Sequence, residues 1–248
     1  MKALIFHQIT RDRIVNYEDV KEEKFLFIIS QIHSFCKSIS ESSQVENINR
    51  RWLLTFDDGF YSDFEIVLPI LKKFKIQGLF FITPSNIGKS NYMGWQEVIE
   101  LSNEGMEIGS HSLTHKDMLG LNNQDILKEF SKSKKMIEDS IGKTINSFSF
   151  PYGRFSKNLV DKAFKLGYKR CFTSFPGEFN LDDKLLPRIP INSSMSKNEL
   201  LKILNNEKFY LFKSILKYKM LDLAKKTLGI KSYWFIRKII NDKQINLL

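Results

Sequence analysis

The sequence is sparing with the residues that cross-link or break a chain. Its 248 residues include 2 Cys, 6 Pro, 12 Gly and 4 His. Cys36 and Cys171 lie far apart and form no C-x-x-C pair, which excludes a disulfide framework and a thiolate zinc site and points to a reduced compartment. No repeat or low-complexity tract is visible. The longest uncharged apolar-leaning runs, 25–36 and 78–88, fall short of the roughly 18–20 residues that a membrane-spanning helix needs. The apolar stretch after Lys2 is also too short for a signal-peptide core, so a cytoplasmic location is expected.

Charge is present, but unevenly spread. The chain carries 38 Lys+Arg against 28 Asp+Glu, a formal +10. Residues 197–248 hold 12 basic and 4 acidic side chains, which leaves 26 against 24 in residues 1–196. A near-neutral body with a basic tail does not read as a nucleic-acid binder, and no nucleic-acid partner is expected. With 42% hydrophobic and 13% aromatic residues, disorder is excluded for most of the chain. The tail shows helical patterning in Leu200, Leu201 and Leu204, in Phe212, Ile215 and Leu216, and again over 233–240, with Lys208, Lys213 and Lys217 on another side. It suits either a helical layer with a solvated basic face or a segment lying on an anionic membrane at the inner face.

Short, bulky apolar runs recur at 2–6, 52–56, 78–82, 107–110, 148–150, 170–173 and 186–191. They have the composition of strands buried on both faces. Helical patterns lie between them at 22–35, 63–74, 95–103, 124–141 and 156–166, with Gly142 and Gly167 placed to stop two helices and Ser156 to start one. The alternation predicts an α/β fold. Over residues 1–196 about seven such strands would make a parallel sheet closed either as a β/α barrel or as a doubly wound sheet, followed by a basic helical C-terminal extension over 197–248. In such folds the functional site lies at the C-terminal ends of the strands.

The polar residues follow that rule. His7 succeeds the first run, Asp57-Asp58-Gly59 the second, His111 and His115 the fourth, and Pro151-Tyr152-Gly153 the fifth. His-x-x-x-His allows two imidazoles to face one ion if the segment makes a helical turn. A catalytic zinc takes three protein ligands, so one of the two aspartates can supply the third while its neighbour handles protons. His33 lies inside the 22–35 pattern and reads as structural.

These motifs resemble those of the polysaccharide deacetylase family, the NodB-homology or carbohydrate esterase 4 group. Thr55-Phe56-Asp57-Asp58-Gly59 is similar to its first motif, His111-Ser112-Leu113-Thr114-His115 to its second, and Pro151-Tyr152-Gly153 to the end of its third. The resemblance implies a deformed parallel β/α barrel and a divalent metal, commonly Zn2+, held by Asp58, His111 and His115. It implies Asp57 as general base and the Tyr152 backbone N–H as an oxyanion donor on the substrate side. The family's third motif normally begins with an arginine that orients the base, and here Ser149 stands in that place. Arg188 is the candidate replacement. No histidine follows His115 to match the family's last motif, which supplies the general acid. Phe6-His7 resembles the arrangement of a circularly permuted subset in which that histidine comes first.

The implied activity is N-deacetylation of an acetamido sugar, with a nucleotide- or lipid-linked precursor fitting a cytoplasmic site. O-deacetylation or cyclic-amide hydrolysis on the same scaffold is the alternative within the enzyme class. A non-catalytic nucleic-acid- or membrane-binding protein using the basic tail is the alternative outside it.

Overall fold

The structure is a computed structural model that describes residues 1–40, 52–180, 182–205, 207, 211–216, 218–220 and 227. The chain divides into two units, Met1–Lys197 and Asn198–Leu248, each taken by itself below.

The first unit is a curled parallel sheet with helices around it. In chain order its strands are β1 (Lys2–Phe6), β2 (Ile9–Thr10), β3 (Val20–Lys21), β4 (Trp52–Asp58), β5 (Gly78–Ile82), β6 (Glu107–Ser110), β7 (Ser147–Ser149), β8 (Arg170–Phe172), β9 (Leu185–Leu186) and β10 (Ile189–Pro190). Among the described residues, eight of them form one sheet in the order β10-β1-β4-β5-β6-β7-β8-β9, and β2 pairs with β3 separately. The helices are α1 (Glu22–Ser40), α2 (Leu68–Phe74), α3 (Trp95–Asn103), α4 (Asn123–Ile141) and α5 (Lys157–Lys165).

Two expectations need correction. The run 186–191 is not one strand. Pro187 has no N–H to give to a ladder, and the chain turns there, so β9 pairs with β8 while β10 pairs with β1 at the opposite edge. This split turns about seven expected strands into eight. The two edges are joined by Pro187-Arg188 instead of a ladder, and Arg188 N–H donates to Phe175 O at 2.9 Å. The helix expected over 63–74 opens with a wide π-turn, Asp63–Val67, before α2 begins. Pro69, at the start of α2, cannot bond back to the preceding turn.

Strand alternation sends bulky side chains to both faces. Inside the curl, Ala3, Leu79, Phe81, Phe172, Phe179 and Leu186 form one buried cluster. Beneath α1, Phe56 stacks on Phe6 (5.4 Å) and Phe80 (4.6 Å), with Phe25 meeting both Phe6 and Phe56 edge-on. Under α4, Phe130, Phe148, Phe150 and Tyr168 form a third aromatic group. His33 packs edge-on to Phe74, as a structural residue would.

In the second unit α6 (Lys197–Leu204) buries Leu200, Ile203 and Leu204, whereas Phe212 and Leu216 are exposed. The patterning over 233–240, Lys208 and Lys217 lie outside the described residues. No helix among the described residues is long and apolar enough to cross a membrane.

Phe56 is central to the layer under α1. Phe56→Ala should cost about 3–5 kcal/mol through lost burial and the cavity left behind, seen as a fall in the urea midpoint. A shift of less than a third of that would mean the aromatic layer collapses to fill the space.

Candidate functional site

The site is assembled at the C-terminal ends of β1, β4, β6 and β7. β4 runs two residues further than the apolar run suggests, so Asp57 and Asp58 are its last members. Regular alternation would send them to opposite faces. Asp58 instead adopts φ 80°, a left-handed conformation uncommon outside glycine, and Gly59 follows at φ 78°. The result brings both carboxylates to one imidazole: His111 Nε2 lies 3.8 Å from Asp57 Oδ2 and 3.6 Å from Asp58 Oδ1.

Asp57 is 3% exposed and Arg188 is fully buried. Their pairing is two-pronged, with Arg188 Nη1 donating to Asp57 Oδ1 at 2.7 Å and Nη2 to Oδ2 at 2.8 Å. The other donors of Arg188 are also engaged. Nη1 reaches Thr55 Oγ1 (3.0 Å), Nη2 reaches Ser149 Oγ (2.6 Å) and Nε reaches Thr173 O (3.1 Å). The rings of Phe81 and Phe172 lie 5.1 and 5.7 Å from the guanidinium carbon. Burial alone would raise the Asp57 pKa, but the charge of Arg188, then that of His111, outweighs it and holds the carboxyl well below the usual carboxylate range. Arg188 therefore grips Asp57 from the position that the serine at 149 leaves open. Wholly enclosed, it turns no face outward to a ligand.

His111 is 2% exposed, and its Nδ1 bonds to Ser149 O at 2.8 Å. A carbonyl can only accept, so Nδ1 carries the proton and Nε2 is left with its lone pair toward the aspartates. Burial, opposed by Asp57, pushes the His111 pKa down to about 4, which keeps the ring neutral and able to ligate. His115 Nε2 lies 3.3 Å from Asp58 Oδ1, and the two imidazole centroids are 4.8 Å apart.

The expected helical turn between the histidines is absent. Residues 111–115 form a loop in which Ser112 (φ 65°) and His115 (φ 56°) are left-handed, and this reversal brings the rings together. One ligand atom each from Asp58, His111 and His115 lies within 4.8 Å of the others. Ligands of a tetrahedral zinc, bonded at about 2.0–2.1 Å, stand about 3.3–3.4 Å apart. The separations from Asp58 Oδ1 are 3.6 and 3.3 Å. One carboxylate oxygen and two imidazole nitrogens form a donor set that fits a divalent ion with an open position.

His7 reaches the same centre from β1. Burial would lower its pKa, but the charges of Glu18, Asp58 and Asp57 raise it overall. Its Nε2 is 3.8 Å from Glu18 Oε2, and its buried Nδ1 has no hydrogen-bond partner among the described residues. Tyr152 (φ 59°) places its ring edge-on to His115 at 4.7 Å. The following Gly153 is irreplaceable on steric grounds, since a Cβ there would come within 2.6 Å of Ser174 Cβ. Arg154 pairs with Asp117, tying the loop after β7 to the loop after β6.

Sequence reasoning passed over several residues. Asp63 is fully buried with both carboxylate oxygens lacking a hydrogen-bond partner among the described residues, and burial followed by the charges of Asp58 and Asp57 raises its pKa well above the usual range. Phe60 and Tyr92 stack at 4.9 Å beside the site, linked by an isolated antiparallel bridge. Burial and then the Asp58 charge raise the Tyr92 pKa. Glu129 on α4 binds the backbone between the two histidines. Each looks ordinary in sequence: a carboxylate opening a helix, loop aromatics, and an acid on an amphipathic helix.

A protein-family model described as polysaccharide deacetylase matches residues 44–171. YxkH of Bacillus subtilis is 29% identical over 146 residues, covering 58% of this chain and 52% of that protein. The peptidoglycan-N-acetylmuramic acid deacetylase PdaA of B. subtilis is 31% identical over 123 residues, covering 49% of this chain and 45% of PdaA. The chain thus spans about half the length of these curated relatives. Among solved structures, the Streptococcus pyogenes deacetylase PplD superposes with a TM-score of 0.71 at 19% identity, covering 82% of this chain and 97% of that one. A de-N-acetylase from Aggregatibacter actinomycetemcomitans superposes with a TM-score of 0.68 at 17% identity, covering 82% and 98%. At these identities the structures speak for the fold. His7 and Arg188 both lie outside the residues the family model matches.

Removing one member of a buried ion pair strands the other. Arg188→Ala should therefore destabilise the protein by about 3–5 kcal/mol, and Arg188→Lys, which keeps the charge but loses the fork, should fall between. Urea unfolding of the three proteins measures this. Equal midpoints would show that Asp57 does not depend on its partner.

Proposed function

The chain belongs to the polysaccharide deacetylase family, and from that premise we propose that it is a metal-dependent hydrolase that cleaves the acetamido C–N bond of an N-acetylated sugar and releases acetate. The observation that carries this reading is the juxtaposition of a three-membered donor set, Asp58, His111 and His115, with a separate carboxylate, Asp57, held rigidly by Arg188.

Asp58, His111 and His115 are the residues that would hold the ion. When bound, a divalent ion supplies Lewis acidity, polarising the amide carbonyl and easing deprotonation of water. The remaining roles belong to side chains and backbone. Asp57 is the acceptor for the proton of the attacking water. Arg188 keeps it ionised and fixes both its oxygens, so the approach of that proton needs no reorganisation. His7, with an unpartnered Nδ1 in the same centre, donates to the departing nitrogen, since an amine leaves poorly as an anion. The Tyr152 backbone N–H is the candidate donor to the tetrahedral oxyanion. The stacked Phe60–Tyr92 pair and the ring of Tyr152 offer apolar faces to the sugar.

The reading covers polymeric, nucleotide-linked and lipid-linked acetamido sugars alike. Acetate release from each type, beside an O-acetylated sugar, distinguishes them and tests the O-deacetylase alternative directly. A cytoplasmic site of action is part of the proposal, and favours the linked precursors.

Asp57→Asn should lower acetate release by about 10²–10⁴-fold with metal content unchanged by elemental analysis, and turnover at the wild-type rate would remove Asp57 from the role of base. His115→Ala should lose the metal. Full occupancy after dialysis in that variant would overturn the ligand assignment.

A further inference from the structure

The helix that follows the His-x-x-x-His segment holds it at two points. On α4, Glu129 and Ser133 are one turn apart and both are buried, at 5% and 0% exposure. Glu129 Oε2 accepts from the backbone N–H groups of Leu113 (2.9 Å) and Thr114 (2.8 Å), and Oε1 accepts from Thr114 Oγ1 at 2.5 Å. Ser133 Oγ accepts from Ser110 Oγ at 2.8 Å and donates to Glu129 O at 2.6 Å. The helix therefore grips the chain immediately before His111, through Ser110, and immediately before His115, through Thr114.

Between those grips and directly after the second, the backbone takes two conformations it would not choose alone, the left-handed Ser112 and His115. Within the loop, His115 N–H donates to Ser112 Oγ at 3.0 Å, and from outside it Ser85 N–H donates to Leu113 O (3.0 Å) and Thr83 Oγ1 to His111 O (3.3 Å). A carboxylate is the acceptor this geometry calls for. One of its oxygens takes two N–H groups while the other takes a hydroxyl, and a carboxamide presents donors to part of that set. Neither Glu129 nor Ser133 belongs to the donor cluster itself.

We propose that Glu129, with Ser133, positions the loop that carries both histidines, and so sets the affinity of the centre for a divalent cation without touching it. This rests on the metal reading above. Residues that orient metal ligands typically contribute about 10–100-fold to affinity, and the magnitude here should fall in that range, with Glu129 the larger contributor because it satisfies three donors.

The test is metal binding, with no activity assay involved. Apo wild type, Glu129→Gln and Ser133→Ala are titrated with Co2+ while the visible absorption of the ion is followed, and Zn2+ affinity is measured against a competing chelator. Urea unfolding of the apo proteins runs alongside. Glu129→Gln should bind both ions about 10–100-fold more weakly and give an altered cobalt spectrum, while apo unfolding stays cooperative. Ser133→Ala should show a smaller loss. Wild-type affinity and an unchanged spectrum in Glu129→Gln would overturn the positioning role alone, whereas failure of the wild type to bind either ion would overturn the metal reading itself. Should Glu129→Gln not fold, Thr114→Val removes one of the three donors and should still weaken binding, and unchanged affinity there would count against the proposal.

Discussion

The ion pair between Asp57 and Arg188 is the constraint around which the barrel unit is arranged. A buried carboxylate and a buried guanidinium each carry a large desolvation cost, which only close, saturated pairing offsets. Here every arm of the guanidinium has an acceptor, and the acceptors come from β4, β7 and the strand end at Thr173. Thr55 extends the network by donating to Leu4 O on β1. One cation thus ties the sheet together across its interior, with Phe81 and Phe172 against its faces.

The same pair explains why a small residue stands at 149. Ser149 gives a hydroxyl to Asp57 and takes a hydrogen bond from Arg188, while its carbonyl fixes the tautomer of His111. A long cation at that position would compete with Arg188 for the same volume and the same carboxylate. A serine at the end of β7 and an arginine in the seam between β9 and β10 are two sides of one packing solution. It keeps Asp57 charged and oriented, whichever strand the cation comes from.

Much of this was legible in the chain because the chemistry-bearing residues directly follow continuous bulky runs. The runs at 3–6 and 78–82 are unbroken Leu, Ile and Phe or small residues, as strands buried on both faces of a parallel sheet should be. The family match over 44–171 takes in the strands from β4 into β8 but not β1. The seam was not legible, since Leu186 to Ile191 reads as one strand until tertiary pairing sends its halves to opposite edges. Nor was the loop between the histidines. Left-handed serine and histidine carry no local signature, and they persist because Glu129, distant in sequence, supplies the acceptors. Buried carboxylates on helices look like solvated ones until their donors are seen. Asp63 and Glu129 were hidden for that reason.

The distance along the chain between Asp57 and Arg188, 131 residues, bears on how the molecule comes into being. On a ribosome the strand carrying both aspartates emerges long before the cation that neutralises one of them. Until then, Asp57 lacks the cation that pairs with it. The aromatic layers beneath α1 and α4 draw on residues 6 to 168, all of which precede Arg188 in the chain. The contact that orients Asp57 is therefore one that the growing chain can make only after nearly the whole unit has been synthesised.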